Sequence, residues 1–141
     1  MNDGDIASGS EDSTIKLWDL NTYQCIQTLK GHDECRSIIQ LNDGNIASCS
    51  DDKTIKLWDL NTYQCIQILK GHDSFVNSII QLNDGSIASG SDDKTIKLWD
   101  LNTYQCIQTL KGHEGYVSSI IQLNDGKIAS GSFYKTIKLW N

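Results

Sequence analysis

A unit of about 41 residues repeats along this chain, and that period limits the possible folds more than any other feature. The tryptophans Trp18, Trp58, Trp99 and Trp140 are spaced by 40, 41 and 41 residues. His32, His72 and His113 keep the same step, as do Cys25, Cys65 and Cys106. The string IASxS begins at Ile6, Ile46, Ile87 and Ile128, and TIKLW ends at each tryptophan. A length of 141 residues therefore holds about 3.4 units, and almost every residue belongs to one.

Within a unit the local signals are those of strands and tight turns. Asn42-Asp43-Gly44, Asn83-Asp84-Gly85 and Asn124-Asp125-Gly126 are hairpin turns in which glycine supplies positive φ. A second turn follows at Asp51-Asp52-Lys53, and a third at Asp59-Leu60-Asn61-Thr62. No run has the length or period of a helix. Each complete unit predicts a four-stranded antiparallel meander, with strands a, b, c and d at 78–82, 87–90, 95–99 and 105–110 in the third copy. Apolar residues fall on both parities, Ile79 and Ile80 in a, Ile66 and Leu69 in d, so each sheet must be covered on both faces. Sheets stacked around an axis satisfy this, as does a β-solenoid; four tilted strands per unit favour the propeller.

Gly-His at 31–32, 71–72 and 112–113, each followed by Trp-Asp or Trp-Asn at 58–59, 99–100 and 140–141, resembles the WD-repeat (WD40) β-propeller family. The expectation is all-β, about 3.5 blades per chain: an incomplete blade at 1–30 lacking strand a, blades at 31–71 and 72–112, and an incomplete blade at 113–141 lacking strand d. The first copy begins in its a–b turn at Asn2-Asp3-Gly4. A ring is then expected to close through oligomerisation, with a head-to-tail dimer favoured.

The resemblance implies structural tetrads of His32, Ser48, Asp52 and Trp58, and of His72, Ser89, Asp93 and Trp99. The first copy keeps Ser8, Asp12 and Trp18 without a histidine; the last has Phe133-Tyr134 in place of the acidic turn, which leaves His113 without an aspartate. The second copy is one residue short near Cys35. A deletion inside a strand would flip its side chains, so the gap is expected in the loop, with Cys35 in the slot of Val76 and Arg36 in that of Asn77. The cysteines in strand d and Cys49 are expected to be core residues.

The resemblance further implies a non-catalytic platform that binds peptides or protein surfaces on its top rim. The rim positions are Glu11, Glu34, Arg36, Asp51, Phe75, Asn77, Asp92, Tyr116, Ser118 and Phe133. Carboxylates interleaved with aromatic rings suit a basic peptide. Two alternatives stand beside it: a half-propeller whose main property is self-assembly, and an enzyme with a site unique to one blade. No G-x-S-x-G, Walker A, H-E-x-x-H or C-x-x-C string is present, so no catalytic residue, metal or cofactor is expected. Twelve Lys and Arg against eighteen Asp and Glu give a net charge of −6, which disfavours nucleic acid and anionic membranes as partners. No apolar run approaches a membrane span, no signal-peptide pattern opens the chain, and the odd cysteine count gives no disulfide framework. A reducing, cytoplasmic location is expected.

Overall fold

The computed structural model describes residues 5–141; the Asn2-Asp3-Gly4 turn lies outside them. Fourteen strands run through the described residues: β1 Asp5–Gly9, β2 Thr14–Asp19, β3 Gln24–Lys30, β4 Cys35–Gln40, β5 Ile46–Ser50, β6 Thr54–Asp59, β7 Gln64–Lys70, β8 Val76–Gln81, β9 Ile87–Ser91, β10 Thr95–Asp100, β11 Gln105–Lys111, β12 Val117–Gln122, β13 Ile128–Ser132 and β14 Thr136–Trp140. They form four antiparallel meanders in the orders β1-β2-β3, β4-β5-β6-β7, β8-β9-β10-β11 and β12-β13-β14. The content bcd, abcd, abcd, abc is the one the repeat predicts. No helix among the described residues is long and apolar enough to cross a membrane.

The turns explain why the meander forms. At each a–b hairpin the glycine amide donates back to the leucine three residues earlier, as Gly85 does to Leu82 at 2.9 Å with φ +89°. In the b–c turn Asp52 Oδ1 accepts both the amide and the hydroxyl of Thr54, at 3.0 and 2.6 Å. Such an Asx turn closes the hairpin without a glycine, and Lys53 takes the left-handed φ of +67° instead. The c–d turn places Tyr63 at φ +58°, with its amide on the Asp59 carbonyl at 2.7 Å.

The sheets pack face to face through one recurring joint. Ile15, Leu17 and Leu29 of the first sheet bury against Cys35, Ile46 and Trp58 of the second. Ile55, Leu57 and Leu69 bury against Val76, Ile79, Ile87 and Trp99 of the third, and the third meets the fourth through Ile96, Val117, Ile120 and Ile128. Alternation within TIKLW sends isoleucine and leucine to one neighbour and tryptophan to the other. Each fully buried isoleucine or leucine stabilises this packing by about 1.5–3 kcal/mol.

Register and burial test two sequence expectations. Cys35 pairs with Ser50 and Ser37 with Cys49, matching Val76 with Ser91 and Ser78 with Gly90. The short repeat therefore lost its residue from the loop before β4, and strand register is intact. Coverage on both faces holds for the inner strands but not for the outermost, where Ile66 is exposed while Leu69 is buried. Strand d is the outer edge of its sheet, so the neighbouring sheet shields only part of it.

Candidate functional site: a rim carried on buried histidine tetrads

The two complete repeats build the same hydrogen-bonded chain. His32 Nδ1 lies 2.7 Å from Asp52 Oδ2, and its Nε2 lies 2.7 Å from Ser48 Oγ. The indole N–H of Trp58 donates to that Oγ at 2.8 Å. In the third repeat the corresponding distances are 2.6 Å for His72–Asp93, 2.8 Å for His72–Ser89 and 2.8 Å for Trp99–Ser89. With a neutral imidazole protonated at Nδ1, one direction satisfies every group: indole N–H to serine, serine O–H to Nε2, Nδ1–H to carboxylate. Burial pushes the His32 imidazole below its ordinary value despite Asp52, which favours that neutral form. Gly71 precedes the histidine because the Trp99 ring passes 3.2 Å from where its Cβ would stand, and because φ is +157°.

A carboxylate, an imidazole and a hydroxyl in this order also make the connectivity of a nucleophilic triad. Here the hydroxyl is sealed. Ser48 and Ser89 are fully buried, and each Oγ already accepts from an indole. The groups hold the sheet to its preceding loop rather than present a nucleophile.

The aspartates are strongly stabilised as anions. Burial would raise the Asp52 carboxyl, but hydrogen bonds from Lys56, Thr54 and His32 outweigh it and hold the group well below the carboxylate range. At Asp93 burial is likewise overcome, by His72 and Thr95. The lysine marks a difference between repeats. Lys56 Nζ is buried and donates to Asp52 at 2.7 Å and to the Gly31 carbonyl at 2.5 Å. Lys97 instead donates to Thr109 Oγ1 at 3.0 Å. The cross-strand partner of Lys97 is Thr109, whereas that of Lys56 is Ile68, which offers no acceptor.

The end repeats carry partial versions. Trp18 donates to Ser8 at 2.9 Å, and Asp12 serves its own turn through Thr14 at 2.6 Å. His113 keeps Ser130 at 2.7 Å but meets only the Thr136 hydroxyl, at 3.3 Å, on the other nitrogen. Tyr134 stands where the aspartate would be.

Above the tetrads the sequence-predicted rim residues come together in pairs. The amides of Asp51, Asp92 and Phe133 donate to the carbonyls of Glu34, Phe75 and Tyr116, at 3.1, 2.9 and 3.0 Å. Glu11 follows Ser10, whose carbonyl takes the Cys35 amide at 3.1 Å. Arg36 grips Asp51 with two hydrogen bonds, at 2.5 and 2.7 Å, lies 3.4 Å from Glu34, and stands 5.8 Å over the Phe75 ring. The Asp51 contact raises the guanidinium further above its ordinary value. Asn77 donates to Asp92 at 2.6 Å and to the Val117 carbonyl at 2.9 Å, while Ser118 donates to Gly131 at 3.2 Å. Tyr116 and Phe133 are exposed with ring centres 6.2 Å apart. Glu34 and Asp51 are thus already engaged by Arg36, so the rim is less acidic than its composition suggests.

This arrangement of Gly-His, tetrad and terminal Trp-Asp matches the family model described as "WD domain, G-beta repeat" at residues 2–19, 23–59, 63–100 and 104–141. The chain belongs to the WD40 repeat family. It superposes on the WD40 beta propeller domain of Doa1 with a TM-score of 0.91 and 30% identity, over 98% of this chain and 47% of that one. A Lissencephaly-1 homolog from Branchiostoma floridae is 61% identical over 28 residues, which are 20% of this chain and 7% of that protein. The chain thus spans about half the length of that Doa1 chain. WD40 propellers are generally protein-interaction scaffolds and typically act without catalysis.

Other WD40 positions depart from expectation. Cys25, Cys65 and Cys106 are exposed rather than core, because they lie on the uncovered part of strand d. Cys49 is fully buried as expected, and burial pushes its thiol up; burial likewise pushes the Cys35 thiol up to about 11. Lys56 and the threonines Thr54 and Thr95 were legible only in part. The Asp-x-Thr spacing signals the turn, but nothing local reports which lysine turns inward. Among the described residues no group of three or more His, Cys, Asp and Glu is arranged to hold a metal ion.

Proposed function

We propose that this WD40 chain is a non-catalytic scaffold that binds a peptide or protein surface along the rim from Glu11 to Phe133. One observation carries the reading: before strand a and in the b–c turn, every rim position differs among the second to fourth repeats. Positions 34, 75 and 116 hold Glu, Phe and Tyr; 36, 77 and 118 hold Arg, Asn and Ser; 51, 92 and 133 hold Asp, Asp and Phe. TIKLW stays unchanged in all three, and LNTYQCIQ is the same in every copy that has it. Strand c is thus uniform while the rim positions are individual, the pattern of a surface that reads one asymmetric partner.

The partner chemistry that fits is a basic, extended peptide. Tyr116 and Phe133 supply adjacent exposed rings, Asp92 lies one repeat away, and the net charge of −6 draws cations toward the chain. The same charge disfavours nucleic acid and anionic membranes as partners. Exposed free thiols at Cys25, Cys65 and Cys106 suit a reducing, cytoplasmic compartment.

The test is a fluorescence-anisotropy screen of arginine- and lysine-bearing peptides against acidic and neutral controls. Basic peptides should bind, and Phe133→Ala or Tyr116→Ala should weaken the best of them at least about 10-fold. Affinity unchanged by both substitutions, or no preference for basic peptides, would overturn the reading.

A further inference from the structure

The two end faces of the array are the separated halves of its own internal joint. Between the first and second sheets, Ile15 and Leu17 enter a surface made by Ile46, Trp58, Leu60 and Tyr63. The residues at the same repeat positions on the free face of the first sheet are Ile6, Trp18, Leu20 and Tyr23. They line an open groove of about 490 Å³, with Ser8 and Asp19. Those on the free face of the fourth sheet are Ile137 and Leu139, the Ile and Leu of an identical TIKLW. Burial shows how incomplete each half is. Ile15 and Leu17 are 1% and 2% exposed, against 79% and 63% for Ile137 and Leu139. Ile46 is fully buried, whereas Ile6 is 47% and Tyr23 80% exposed.

We infer that the occupant of each end face is the opposite end face of a second copy of this chain, docked head to tail. The surfaces need no new chemistry, since the same side chains already make this contact inside one copy. The Doa1 superposition agrees in size, because this chain covers 47% of that chain, whose structure is a WD40 beta propeller domain. The contact is heterologous: groove meets ridge, never groove to groove. It is also smaller than the internal joints. Cys35, Val76 and Val117 of strands β4, β8 and β12 complete those joints, and no such strand precedes β1 among the described residues. The association should therefore be roughly micromolar rather than permanent.

Sedimentation velocity over a concentration series of the full chain tests this. The expected result is a concentration-dependent shift from 15.7 kDa to multiples of it. Ile137→Glu damages only the ridge and Ile6→Glu only the groove, and both positions are exposed enough to leave the fold intact, which circular dichroism checks. Each variant alone should associate at least about 100-fold more weakly, because a buried carboxylate would go unpaired. Mixed, the two should recover a one-to-one complex, since each retains the half the other lost. A monomer at all concentrations, or two variants that fail to complement while still folded, overturns the inference; self-association kept by either variant alone does the same.

Discussion

The third and fourth repeats share their strand sequences almost residue for residue and differ most sharply at the b–c turn, Asp92-Asp93 against Phe133-Tyr134. Both histidines are buried to the same degree, 7% exposed at His72 and 6% at His113. Burial of the imidazole and its link to serine and tryptophan therefore do not require the carboxylate. Its contribution lies around the histidine. Asp93 accepts the amide of Asp73 at 3.0 Å and both groups of Thr95, and its own amide donates to Ser91 Oγ at 3.0 Å. In the fourth repeat that network is gone, and Ser132 Oγ is the one buried side-chain polar atom among the described residues with no partner. Exposed rings stand where the carboxylates would be. One repeat invests its turn in holding a loop to a sheet, and the other in surface.

The largest break in this comparison should come from the tryptophans. Trp99 is 1% exposed between two sheets, whereas Trp140 is only half-buried. Trp99→Ala should cost about 3–5 kcal/mol and Trp140→Ala clearly less, by urea denaturation. Equal losses would mean that the end repeat is as tightly packed as the inner one.

Next is the carboxylate itself. Asp93→Ala should destabilise by about 2 kcal/mol, since a charge-assisted hydrogen-bond network is lost. Asp52 and Asp93 sit below their unfolded value of 3.8, so their stabilisation is complete above that pH and is lost as pH falls toward their folded values. The His32 and His113 imidazoles, held below 6.5 by burial, act in the same direction. Below that pH the unfolded chain binds more protons than the folded one, and stability falls with pH. Acid unfolding followed by circular dichroism should show both windows, and Asp52→Asn with Asp93→Asn should flatten the lower one.

A gain of about 1 kcal/mol is expected when Tyr134→Asp supplies His113 with the missing carboxylate. A rise in melting temperature checks it, and a fall would show that the Tyr134 ring packing against Gly115 outweighs the network.

The smallest effect concerns the two lysines. Ile68→Thr gives Lys56 the hydroxyl that Lys97 already has, and should draw it from Asp52. Stability should change by less than about 1 kcal/mol. The Asp52 carboxyl should rise, measured by NMR titration, whereas an unmoved carboxyl would show that the Gly31 carbonyl rather than Ile68 directs Lys56.

Much of the scaffold was legible because its cues are local. The period located every strand, the Asp-Gly pairs located the hairpins, and the His, Ser, Asp and Trp positions located partners that do meet within hydrogen-bond distance. Cysteines misled because a mid-strand position says nothing about whether a neighbouring sheet reaches it, and strand d is the one left partly uncovered. The charge balance of the rim was harder to read for a related reason. Composition counts Asp51 and Glu34 as free charges, whereas Arg36, between Cys35 and Ser37 in β4, turns back over both.

What the sequence alone determined was the repeat, the antiparallel meander and the turn chemistry, since each follows from spacing within one unit; the tetrad partners came through the resemblance to the WD-repeat family. Only the tertiary structure decided the environment of chemically identical segments. It buried Ile15 and exposed Ile137, sent Lys56 inward and Lys97 sideways, and placed the missing residue in a loop. A repeated string carries the same local preferences in every copy, but burial depends on what lies across the next sheet. For the first and last copies no such neighbour lies among the described residues.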